Sequence, residues 1–159
     1  MSEEHSNELY SLLIPLAQER LIVPRAAVAE VIGFQPLDEM AGAPAWYLGT
    51  VGWNGRSIPV VSFEGMCGQA IPAMGGRSRI VVLYCLGHKL DAAFFGILTQ
   101  GFPQLVRANP DVVKPDPNAR NYGERSPVIC QVRMINETPL IPDLERLEEM
   151  IAEETSVSA

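Results

Sequence analysis

The chain has 159 residues, 47% of them hydrophobic, and a formal net charge of −7 from 12 basic and 19 acidic side chains. That length makes one domain or two small fused subdomains, able to bury about two thirds of the unfolded surface without a metal or a disulfide. So acidic a chain lacks the counterion release that drives nucleic-acid binding, and an anionic membrane surface would repel it.

Residues 1–8 form a polar, acidic tail with neither the basic start nor the apolar run of a signal peptide. No run of about 18 apolar residues could span a bilayer. The three cysteines, Cys67, Cys85 and Cys130, are odd in number and have no C-x-x-C spacing. They read as reduced thiols of a cytoplasmic protein, neither a disulfide framework nor a zinc site. Thirteen glycines and thirteen prolines are spread along the chain, which suits many short strands joined by turns.

In chain order, residues 9–16 and 21–24 are apolar runs of strand length around the polar break Ala17-Gln18-Glu19-Arg20, a hairpin pattern. Residues 28–32 form a β-branched strand, and 33–44 a loop with room for a short strand. Next comes Leu48-Gly49 through Phe63, centred on Asn54-Gly55. That dipeptide predicts a type I′ hairpin turn, in which both central residues need positive φ. Pro59 inside the second arm argues for an edge or bulged strand. Residues 64–67 allow one helical turn, stopped by Gly68, before a surface loop. Further strands are expected at 79–86, 90–99, 102–107, 128–135 and 137–141, with a polar, turn-rich loop over 109–126. From Pro142 the apolar residues Leu144, Leu147, Met150 and Ile151 mark an amphipathic helix over 142–154, fraying from Thr155 to Ala159. The strands fall into two groups along the chain, about 9–63 and 79–141, which suggests a duplicated small barrel.

No nucleophile elbow, P-loop, dinucleotide fingerprint or H-E-x-x-H motif is present. His5 lies in the tail and His88 in a turn, and neither has a partner at a motif spacing. Cys67 has Glu64 nearby and no adjacent cation, so nothing lowers its pKa. Asp143, Glu145, Glu148, Glu149, Glu153 and Glu154 read as a solvated acidic helix face. Trp53 is a candidate interface anchor. No cofactor or metal is expected, and a binding module fits better than an enzyme.

Leu48-Gly49, Asn54-Gly55 and Pro59-Val60-Val61 resemble the signature hairpin of CheW-like chemotaxis coupling domains, roughly L-G-x4-R-G-x3-P-V-[VI]-D-L. Val28-Ala29-Glu30-Val31 resembles that family's V-x-E-[IV] strand. Residues 79–83 and 95–98 resemble two central strands, and 142–147 its closing helix. The likeness covers about residues 9–151 as a single domain. It implies a mainly β fold of two five-stranded barrels sharing a hydrophobic seam, with a first barrel of about 21–63 completed by strands from the ends, a second of about 79–141, and the C-terminal helix. It also implies a non-catalytic adaptor that couples a chemotaxis histidine kinase to receptors. Val28, Glu30 and Val31 would meet the kinase regulatory domain. Asn54, Ile58 and Val60 would line a groove between the barrels for the tip of a methyl-accepting receptor. Three positions depart from the pattern: Asn54 replaces the signature arginine, Ser62 the aspartate after Pro-Val-Val, and Thr99 or Gln100 a second-barrel aspartate. Asn54 cannot supply a bidentate guanidinium. The chain therefore reads as a divergent member, in keeping with an accessory adaptor of a type IV pilus (twitching motility) chemosensory system. The alternatives are a small-ligand sensor or scaffold subunit on the same barrels, and an enzyme using His88 or Cys67 in the groove.

Overall fold

The computed structural model describes residues 9–116 and 126–157. The expected tail, much of the 109–126 loop and the last two residues lie outside them. The strands are β1 (Leu9–Pro15), β2 (Arg20–Pro24), β3 (Val28–Gly33), β4 (Tyr47–Trp53), β5 (Arg56–Val61), β6 (Arg79–Tyr84), β7 (Phe94–Thr99), β8 (Gln104–Ala108), β9 (Lys114–Pro115), β10 (Val128–Arg133) and β11 (Leu140–Pro142). A 3-10 turn at Arg25–Ala27 joins β2 to β3, and α1 (Phe63–Met66) and α2 (Leu144–Val157) are the helices.

The strands form two sheets. One has five strands in the order β3-β6-β7-β5-β4, and the other has six in the order β8-β1-β2-β11-β10-β9. The sixth strand, the two-residue β9, is the addition to the expected pair of five-stranded units. The sheets do not divide the chain at its middle. β6 and β7 lie with β3, β4 and β5, while the six-stranded sheet takes strands from both ends of the chain. A local apolar pattern predicts a strand but carries no information about which distant strand it pairs with.

Three apolar clusters fill this frame. Val51, Ile58, Val60, Ile80, Val82 and Leu98 form the interior of the five-stranded sheet. Leu13, Ile22 and Val132 begin that of the six-stranded one. The largest lies between the sheets, where Ile14, Leu21 and Val23 meet Val81, Phe95 and Ile97 under Leu147 and Ile151 of α2. This is the hydrophobic seam.

Local chemistry explains the turns and caps. Asn54 and Gly55 have φ of 52° and 77°, as the type I′ turn requires. Gly49 has φ 141°, and a Cβ there would meet the Asp38 carbonyl oxygen at 2.6 Å. Asp38 and Thr50 exchange both backbone hydrogen bonds at 2.9 Å, the short bridge inside the 33–44 loop. Pro59 is not in an edge strand, because β5 lies between β4 and β7. Thr50 opposite it spends its backbone groups on Asp38, and the ladder to β7 begins only at Val60. The missing N–H of Pro59 therefore falls where no ladder bond is needed. Asp143 caps α2, its Oδ1 accepting from Arg146 N at 3.1 Å. The helix runs on to Val157, past the expected fraying point at Thr155, whose hydroxyl donates to Ile151 O at 3.2 Å.

Candidate functional site: an aromatic rim on the five-stranded sheet

The register gathers five strand ends at one end of the five-stranded sheet. Tyr84 pairs with Phe94, and Trp53 with Arg56 across the hairpin. β5 runs parallel to β7, and β3 pairs Val28 with Leu83 and Glu30 with Val82. Trp53, Asn54, Arg56, Phe94, Tyr84 and Glu30 thus share one rim.

Their side chains form a connected row. The Trp53 and Phe94 rings meet edge to face at 4.8 Å, and Tyr84 lies 5.3 Å from Phe94. The Arg56 guanidinium sits 5.4 Å from the centre of Phe94 and donates to Ala92 O at 3.2 Å. Trp53 Nε1–H donates to Glu30 Oε1 at 3.0 Å. That bond joins β4 to β3, the two edges of the sheet, and so curls this end towards closure. Tyr84 and nearby Leu86 remain exposed, while Trp53 and Phe94 are half-buried. Aromatic rings with one covered and one open face, flanked by one cation and one carboxylate, suit a protein contact.

The residues expected at interfaces divide unevenly. Glu30 is exposed, held by Trp53. Val28 is only 6% exposed and belongs to the seam core. Val31 is half-buried against that same core. The bulge between Val28 and Glu30 turns both valines inwards and leaves the glutamate outside. Asn54 is exposed, at the tip of the rim hairpin. Ile58 and Val60 are fully buried inside the five-stranded sheet, so they line no groove between the sheets and offer nothing to a partner directly. Phe94, Tyr84 and Arg56 carried no sequence signal of their own. Trp53, as a candidate anchor, and Glu30 and Asn54, through the resemblance, did.

A second exposed apolar strip borders the seam. Leu105 of β8 faces Leu12 of β1, and Tyr10 pairs with Arg107, whose guanidinium lies 5.6 Å from the tyrosine ring. Phe102, where the chain passes between the sheets, is 67% exposed and stacks on Arg79 at 4.5 Å.

Cys67 and Cys85 are poor nucleophiles. Burial first, then Glu19 and Glu64, pushes Cys67 up to about 12. Burial and then Glu148 do the same to Cys85. His88 lies exposed in the turn after β6, with φ 55°. Among the described residues no cluster of histidine, cysteine and carboxylates could hold a metal ion, and no helix is long and apolar enough to cross a membrane.

Ser62, one of the three departures, is a helix cap. Its hydroxyl caps α1, accepting from Gly65 N at 3.1 Å, as an aspartate would. It also donates to Glu64 Oε1 at 3.3 Å, which an aspartate could not. The acidic face of α2 also needs correcting at one position, since Glu148 is fully buried.

The CheW-like domain family matches residues 11–150. The chain is 26% identical over 100 residues to the chemotaxis protein CheW of Rhizobium meliloti (strain 1021), a match spanning 63% of this chain and 61% of that protein. The solved structure of the scaffolding protein TtCheW from Thermoanaerobacter tengcongensis superposes with a TM-score of 0.74 at 18% identity, over 92% of this chain and 96% of that one. The last likeness shows the fold.

Proposed function

The chain belongs to the CheW-like domain family, and on that premise we propose that it is a non-catalytic adaptor of bacterial chemosensory signalling, with the regulatory domain of a histidine kinase as its partner at the aromatic rim. The observation that carries this reading is the Trp53–Phe94–Tyr84 row tied to Glu30. Of the three β3 residues that the resemblance gives to the kinase, Glu30 is the exposed one, and it is bonded to that row. An apolar centre with a polar margin is the composition of a modest, reversible interface. The exposed Tyr10 and Leu105 of β1 and β8 mark the second surface, suited to the receptor tip, since Ile58 and Val60 are enclosed.

Titration calorimetry of the purified chain against the kinase regulatory domain tests the reading. Binding is expected, weakened at least tenfold by Glu30→Arg and by Trp53→Ala, with both variants still melting cooperatively. Binding that is untouched by either substitution would remove the rim from the interface. No binding by the folded chain would remove the partner.

A further inference from the structure

Among the described residues two glutamates are buried, and they belong to neither surface. Glu64 is 3% exposed and Glu148 is fully enclosed. A carboxylate that has left water needs strong donors, and both find them on backbone amides of the opposite sheet. Glu64 lies in α1, directly after β5 of the five-stranded sheet. Its Oε2 accepts at 3.1 Å from Ala17 N, in the turn joining β1 to β2 of the six-stranded sheet. Glu148 lies in α2, after β11 of the six-stranded sheet. Its Oε1 accepts from Gly87 N at 2.9 Å and its Oε2 from Lys89 N at 2.6 Å. Both donors belong to the connection between β6 and β7 of the five-stranded sheet. His88 stands between them in the left-handed region.

We infer that Glu64 and Glu148 are reciprocal clasps that fix the angle between the two sheets. Each sheet extends one carboxylate to the other. The apolar seam supplies adhesion, but the hydrophobic effect has no direction of its own. Hydrogen bonds from fixed backbone amides to a carboxylate are directional, and those in a dry site are the stronger for it. Lys89 adds an exposed ion pair to Glu149 at 3.0 Å beside the second clasp. The lock stands independently of any partner. If the rim and the Tyr10–Leu105 strip each take a partner as proposed above, it also sets the geometry between those partners, because the two surfaces lie on different sheets.

The test uses solution NMR on the full chain. Glu64→Met and Glu148→Met keep side-chain length and remove the acceptors. Residual dipolar couplings from both sheets should fit one alignment tensor in the native protein. In the double variant they should need two, with amide exchange at Ala17, Gly87 and Lys89 at least tenfold faster. Strand amides inside each sheet should stay protected, which a general loss of stability would not leave intact. Gly87→Ala is the milder probe, because a Cβ there would press on Glu148 Oε2 at 3.3 Å. It should speed exchange at Gly87 and Lys89 alone, and it carries the test if the double variant fails to fold. One shared tensor in the double variant, or unchanged exchange at the clasped amides in Gly87→Ala, would overturn the inference.

Discussion

Replacing Ser62 by the aspartate of the CheW-like signature should destabilise this chain. The cap itself would survive, since aspartate and serine are about equal at a helix N-terminus. The cost comes from Glu64, whose Oε1 lies 3.3 Å from the Ser62 hydroxyl in a site where both residues are buried. Two carboxylates at that separation repel by about 5 kcal/mol at an effective dielectric of about 20. The pair escapes by holding one proton, which costs about 1.4 kcal/mol for each pH unit above the ordinary carboxyl value near 4. Either route gives a loss of about 3–5 kcal/mol at pH 7.5, or roughly 10 °C in melting temperature for a domain of this size. The sign follows from linkage. A carboxyl raised in the folded state is harmless below its unfolded value, and its penalty grows as pH rises towards the folded one. Urea denaturation of Ser62→Asp and the native chain, at pH 5 and pH 7.5, should show a small gap at the lower pH and a large one at the higher. Adding Glu64→Gln to Ser62→Asp should recover most of the loss. A variant as stable as the native chain at pH 7.5, or a loss equal at both pH values, would refute the reasoning.

Val28→Glu should cost at least about 3 kcal/mol by placing an unpaired charge in the seam, so a melt will register it before any binding assay does. Trp53→Phe keeps the ring on Phe94 but loses the indole donor to Glu30. It should cost about 1 kcal/mol in denaturant titration and raise hydrogen exchange along β3. The raised thiols of Cys67 and Cys85 should make labelling by iodoacetamide at pH 8 far slower than in the urea-unfolded chain. Their contribution to stability is whole below the unfolded thiol value of about 8.5 and falls as pH climbs towards the folded one. Melts at pH 8 and pH 10.5 should differ less in the Cys67→Ala, Cys85→Ala double variant.

Features whose cause is local could be read in the sequence. Asn54-Gly55 specifies its own turn, and the spacing of Leu144, Leu147 and Ile151 specifies the buried face of α2. Features decided by distant partners could not. Ile58 and Val60 carry the same alternation whether a strand faces a groove or an enclosed interior, and only the pairing of β5 with β4 and β7 settles it. Glu148 was obscured by its acidic neighbours, although it stands four residues after Leu144 and three before Ile151, on the apolar side of the helix. That spacing was the available signal. The rim was hidden because its members come from five strands and share no sequence neighbourhood beyond the Trp53–Arg56 hairpin.

The division of the strands between the sheets also sets an order of events during synthesis. All five strands of one sheet lie between residues 28 and 99, so that sheet can close as soon as β7 is made. The β1–β2 hairpin is made before the other described strands, yet β2 meets its outer neighbour β11 only at Leu140. At about 5–20 residues per second that is a wait of roughly 6–25 seconds. A hairpin alone is marginal in water, so the apolar faces of Leu21 and Val23 are uncovered until the five-stranded sheet closes, and the edge of β2 stays open for the whole interval. A chain cut short before β10 would keep that edge open permanently. It would therefore aggregate through the edge of β2, although the five-stranded sheet and its aromatic rim had already formed.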